Sequence, residues 1–268
     1  MKTAQKRWHC IALATLWVAP VVACLASGSE SLAQGPTAAQ APYPSRPIRI
    51  VVPLAAGGGG DIMARALGQR LSDNLHQAVV VDNRPGGATI IGTEIVAKSP
   101  PNGYTLVMAT SSHAINPSLY PKLPFDPIKD FSAVTLIATS PLMLVVHPSV
   151  PATSVKELTA LAKARPGKLN YGHTGLGVAP HIVGEMLRSA AHIDVVAIPY
   201  KGDAGVIPAL LSNEIQYAWA SPVTSTEHVR AGRMRAIAVS GEKRGSAYPD
   251  VPTVTEAGFP DVYLLCLV

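Results

Sequence analysis

The chain has 268 residues, 48% of them hydrophobic and only 15% charged, enough to bury a core in one or two domains. Aromatic residues at 5% and a formal charge of +5 exclude a base-stacking or strongly electrostatic nucleic-acid binder. Twenty-four prolines and 22 glycines imply many short elements joined by tight turns.

Residues 1–33 read as a secretory signal. Lys2, Lys6 and Arg7 precede an apolar run, and Ser31-Leu-Ala33 is a small-residue cleavage site. Residues 34–42 form a polar leader. Without the signal the charge falls to +3, from 19 basic and 16 acidic residues. A second reading takes Val21-Val-Ala-Cys24 as a lipoprotein box, with Cys24 acylated as an anchor. Either reading takes the protein out of the cytoplasm. Cys10 and Cys24 lie in the signal, so Cys266 alone remains, and it cannot make an internal disulfide or a zinc cage.

Strand and helix patterns then alternate. Strands are expected at 48–54, 78–82 and 105–109, with helices at 61–75 and 88–98. A loop containing Asn116-Pro117 follows, then two strand-like runs, 133–139 and 142–147, that read as a crossover. A second series begins with Ser154 as cap of a helix at 155–164, Glu157 completing a capping box. Strands at 168–171, 195–199, 215–219 and 236–240 alternate with helices at 180–190, 205–211 and 224–231. The fold class is α/β: two doubly wound domains with a ligand cleft between them, beyond the carboxyl ends of the strands.

Five loops face that cleft by this reading. The first runs through Ala55, Ala56, Gly57, Gly58, Gly59 and Gly60 to Asp61, a strand–glycine–helix turn that offers backbone N–H groups to an anion. It lacks the Gly-Lys-Ser/Thr of a P-loop and the spacing of a dinucleotide fingerprint, so no nucleotide cofactor is expected. Asp61 reads first as an N-cap. The second loop, 110–116, is dense in hydrogen-bonding groups, Ser111 and Ser112 among them. Ser112 beside His113 raises a hydrolase reading, but no G-x-S-x-G elbow exists. The third, 171–181, repeats the glycine logic with Thr174, Gly175 and Gly177. Its His173 and His181 stand without a carboxylate at ligand spacing, so no metal is expected. The fourth holds Tyr200, Lys201 and Gly202, and the fifth supplies Ser221. No paired carboxylates or activated thiol accompany these loops, which favours binding over catalysis.

At these residues the chain resembles the Bug proteins, the periplasmic solute receptors of tripartite tricarboxylate transporters. Eight segments carry the resemblance, in order from about 43 to 260: Tyr43-Pro-Ser-Arg-Pro-Ile-Arg-Ile-Val-Val-Pro, Ala56-Gly-Gly-Gly, Val80-Val-Asp-Asn-Arg-Pro-Gly, Pro101-Asn-Gly-Tyr-Thr-Leu, His113-Ala-Ile-Asn-Pro-Ser-Leu-Tyr, Lys168-Leu-Asn-Tyr, Pro199-Tyr-Lys-Gly and Tyr248-Pro-Asp-Val-Pro-Thr. The resemblance implies a clamshell of the type II periplasmic-binding kind, with 43–145 plus 236–268 as one domain and 146–235 as the other. It also implies a small organic carboxylate held largely by backbone, membrane permease subunits as partners, and a monomer that is not an enzyme.

The chain departs from the family pattern in several places. Gly60 stands where relatives carry Thr or Ser, Val178 and Ala179 where the third loop has a hydroxyl, and Ala220 where an acid is common. The loss of that acid leads to the expectation of a ligand without an ammonium group. The pattern ends after Pro260, about one-fifth of a mature relative short, and a domain that size needs its closing helices for burial. The expectation is a truncated member with impaired binding. The alternatives are a secreted α/β hydrolase using Ser112, which ester turnover would reveal, and a ligand sensor for a signalling protein.

Overall fold

A computed structural model describes residues 42–267. The signal at 1–33, with Cys10 and Cys24, and the leader up to residue 41 lie outside the described residues.

The first βαβ series builds a three-stranded sheet. Strands β1 (Ile48–Val52), β2 (Val79–Asn83) and β3 (Thr105–Val107) run parallel in the order β2-β1-β3. Helices α1 (Gly59–Leu75) and α2 (Ile90–Ala97) make the crossovers. A parallel sheet needs such helical returns, and they cover its faces. Ile50, Val52, Ala64 and Met108 form its small core.

The second series builds a larger sheet. Strands β5 (Met143–Val146), β6 (Asn170–His173), β7 (Val196–Pro199), β8 (Tyr217–Ala220) and β9 (Arg235–Val239) lie in the order β7-β6-β8-β5-β9. Strand β6 is parallel to β7 and β8, whereas β5 is antiparallel to both β8 and β9. Helices α4 (Val155–Ala164), α5 (Ala179–Ala191), α6 (Asp203–Leu211) and α7 (Pro222–Arg230) alternate with these strands. All four residues of β5 are buried, as are all four of β8. Side chains alternate across a strand. Leu144, Val146, Tyr217 and Trp219 therefore enter one core layer, with Leu158 and Leu187. Met143, Val145, Ala218 and Ala220 enter the other, with Val206 and Leu210. This two-sided burial explains why both strands read as unbroken apolar runs. The expected capping box also forms at α4. Ser154 Oγ accepts from Glu157 N, while the Glu157 carboxylate reaches back to Thr153 N.

Two elements differ from the sequence expectation. The loop expected at 110–116 is helix α3 (Ser111–Leu119), despite Pro117 inside it. Its residues are weak helix formers, and tertiary bonds supply what propensity does not. Asn116 Nδ2 donates to Ala88 O at 2.8 Å, and Ser111 Oγ donates to Leu265 O at 3.0 Å. The strand expected at 133–139 is irregular up to residue 138. Its apolar residues face outward, Val134 being 78% and Leu136 62% exposed. A strand needs a paired neighbour, and only β4 (Thr139–Pro141) finds one, antiparallel to β10 (Leu265–Leu267). Among the described residues no helix is long and apolar enough to cross a membrane.

Candidate functional site

The loops at the carboxyl ends of the strands surround a cavity of about 110 Å³. Strand β1 and helix α1 contribute Leu54, Ala55, Gly58, Gly59, Gly60 and Met63. Thr110, Ser111 and Ser112 come from the start of α3, and Ser140, Pro141 and Leu142 from β4 and its exit. The larger sheet adds Thr174, Val178, Ala179 and Pro180, then Gly202 and Asp203, then Ser221 and Val223. Cys266 on β10 completes the wall.

Five helices begin at this cavity. The residues preceding α1, α3, α5, α6 and α7 are Gly58, Thr110, Val178, Gly202 and Ser221, and all five line it. Only Ser221 caps its own helix with a side chain, accepting from Val223 N at 3.3 Å. The first N–H groups of a helix have no intrahelical acceptor, and the dipole makes that end positive. Among the described residues the wall contains no Lys, Arg or His. The donors that its helix starts offer are therefore backbone N–H groups, which suit a small anion. Ser112 Oγ and Thr110 Oγ1 are buried without a hydrogen-bond partner, and both residues belong to the wall.

The sequence-predicted residues divide. Ala55, Gly58, Gly59, Gly60, Ser111, Ser112, Thr174, Gly202 and Ser221 come together in the wall. Ala56, Gly57, Asp61, Gly175, Gly177, Tyr200 and Lys201 stand outside it. Asp61 does not cap α1 as expected; Gly58 holds that position. Asp61 sits one turn inside, where its carboxylate accepts from Gly57 N at 2.9 Å and pairs with Arg65. Burial pushes its pKa up, but those bonds outweigh it and hold the carboxyl below its ordinary value. Asp61 therefore shapes the glycine loop from behind. Tyr200 donates its hydroxyl to Glu214 at 2.7 Å, and Lys201 is exposed. Gly177, at φ +73°, brings the third loop against Leu119 of α3 and Ala88; only a residue without a side chain fits both the angle and the approach. His113, the neighbour of Ser112, turns Nε2 to Pro127 O at 2.8 Å and packs its ring on Phe125 and Phe131. His113 is thus held by Pro127 and the two phenylalanines, and no hydrogen bond joins it to Ser112 Oγ among the described residues.

The third loop is held by its two histidines. His173 Nδ1 accepts from Gly175 N and His181 Nδ1 from Gly177 N, both at 3.3 Å, with the rings 4.5 Å apart. Both bonds require neutral imidazole. Burial lowers the pKa of each ring. A depressed value means that the stability these rings contribute is present above their unfolded pKa of about 6.5 and is lost as pH falls through the folded values. The melting temperature is expected to fall on acidification, and to fall less in His173→Gln. Asp203 works in the opposite sense, because burial raises its pKa and protonation relieves that cost. The difference between wild type and variant isolates the histidine. Parallel pH profiles for the two would refute the assignment.

Sequence reasoning passed over Asp203, Thr110, Met63, residues 140–142 and Cys266. Asp203 left a signal, an acid directly after the glycine of the fourth loop and two residues past Lys201. Its carboxylate, 7% exposed, accepts from Gly59 N at 3.4 Å and from Thr224 Oγ1 at 3.2 Å. Burial and the Asp203 charge push the Cys266 thiol up to about 12, so it stays protonated.

Comparison with known proteins gives a consistent picture. A family-wide sequence profile described as tripartite tricarboxylate transporter family receptor matches residues 63–266. Protein BugT of Bordetella pertussis is 39% identical over 223 residues, covering 82% of this chain and 68% of BugT. A Rhodopseudomonas palustris protein solved with adipate (R. palustris Rpa4515) is 35% identical, with a TM-score of 0.80 over 84% of this chain and 76% of that one. MatC of the same organism, solved with bound malate, is 27% identical, with a TM-score of 0.79 over 84% of this chain and 77% of its own.

Proposed function

Since the chain belongs to the tripartite tricarboxylate transporter receptor family, we propose that it is an extracytoplasmic receptor that captures a small organic carboxylate in the periplasm and hands it to a membrane permease. The observation that carries the reading is the convergence of five helix N-termini on one cavity whose wall, among the described residues, has no basic side chain. Carboxylates bound to two similar proteins, adipate and malate, support the ligand class. A cavity of about 110 Å³ suits a solute of a few carbon atoms. Capture would proceed by closure, around the ligand, of the part built on strands β1–β3 and the part built on the five-stranded sheet. Backbone donors read the carboxylate, and the apolar wall of Leu54, Met63, Leu142 and Val178 covers its carbon skeleton.

The test is a thermal-shift screen against mono-, di- and tricarboxylates, followed by calorimetry. At a concentration about a hundredfold above Kd, a bound acid should stabilise the fold by roughly 2.7 kcal/mol. A folded protein that no carboxylate stabilises would contradict the reading.

A further inference from the structure

The cavity's helix N-termini fall into two groups, and one already faces a carboxylate. Asp203 opens α6, accepts from Gly59 N in the first turn of α1 and from Thr224 in the first turn of α7. Gly59 in turn lies against Ser221, the cap of α7. Helices α1, α6 and α7 thus meet around one buried acid. The starts of α3 and α5 reach the cavity apart from that acid, through Thr110 and Val178, and there Ser112 Oγ, on a residue 1% exposed, has no partner. Asp203 takes part in no ion pair among the described residues. Both hydrogen bonds to its carboxyl come from neutral donors, so nothing among the described residues supplies it with a counter-charge.

On the carboxylate-receptor reading, we infer that Asp203 sets the specificity of the cleft: the ligand carries one carboxylate, read at α3 and α5, and a hydrogen-bond donor such as an amide, hydroxyl or ammonium that meets Asp203. A second ligand carboxylate there would face a buried like charge. Two carboxylates sharing such a site cannot both ionise without a large cost. A donor at the same place fills lone pairs of Asp203 and binds the more strongly because the acceptor is charged. The expectation of a ligand without an ammonium rested on Ala220, where relatives carry an acid. Asp203 brings an acid from α6 to the same strand end, beside Ser221 and Thr224, and reverses that expectation.

Calorimetry with matched pairs tests this: succinate against its monoamide succinamate, and glutarate against 4-aminobutyrate, on wild type and Asp203→Asn near neutral pH. Wild type should bind the donor-bearing member about tenfold tighter than the diacid, and Asp203→Asn should erase or invert that ratio, mainly by improving the diacid. Circular dichroism checks that the near-isosteric variant is folded. The wild-type ratio stands as a test without the variant. Equal or tighter binding of the diacids by wild type overturns the inference, as does a ratio that Asp203→Asn leaves unchanged. Binding of no carboxylate by either protein overturns the receptor reading itself, and the inference with it.

Discussion

Gly59→Ala is expected to weaken carboxylate binding by roughly five- to 140-fold without unfolding the protein. Gly59 stands in the first turn of α1, where alanine is locally the better helix former by about 1 kcal/mol. The obstacle lies across the cleft. A Cβ at Gly59 would sit 2.5 Å from Ser221 Oγ and 3.1 Å from Ser221 Cβ. Ser221 cannot simply rotate away, because its hydroxyl caps α7 by accepting from Val223 N. The added methyl therefore separates the two loops that close the cavity. Relief of such an overlap costs about 1–3 kcal/mol, which at 1.4 kcal/mol per decade gives the predicted loss. Calorimetric Kd values for Gly59→Ala and for Gly59→Ala with Ser221→Gly decide the matter. Removing the serine side chain should restore most of the affinity. No recovery in the double variant would mean that the loss does not come from this contact.

Trp219→Ala should cost about 3–5 kcal/mol of stability, a large part of the roughly 5–15 kcal/mol that holds an ordinary domain together. Trp219 is fully buried on the central strand β8, in register with Leu144 of β5. Its removal leaves a large cavity in the layer that also holds Leu158 and Leu187. The indole Nε1 has no partner. Trp219→Phe therefore forfeits volume and no hydrogen bond, and should cost clearly less than the alanine variant. Urea titration of the three proteins reads this as a graded fall in midpoint at constant m. Equal midpoints for the phenylalanine and alanine variants would show that packing volume does not govern the position.

Much of the fold is legible in the sequence, for a reason visible at β1 and β5. Residues 50–52 and 143–146 are short apolar runs that end at Pro53 and at His147-Pro148, and such runs bury on both faces only in a sheet covered by helices. The capping residues at α4 are equally legible, because a capping box is closed by neighbours three and four residues apart. Helix α3 is not. Its local sequence is a poor helix former, and the bonds that hold it come from Ala88 and Leu265, distant in the chain. The run 133–138 misled in the opposite direction, since strand-like composition supplies no partner strand.

The site divides along the same line. The sequence alone determines the glycine loop 57–60, the backbone donors at its helix start and the absence of P-loop or dinucleotide spacing, because each is a matter of adjacent residues. Only the tertiary structure brings Asp203 to Gly59, 144 residues away, and sets both against Ser221. A helix N-terminus is written locally, but what stands in front of it is decided by how strands β1, β7 and β8 are ordered in two sheets. The charge that a ligand meets in the cleft is therefore a property of topology and burial, and no spacing in the chain announces it.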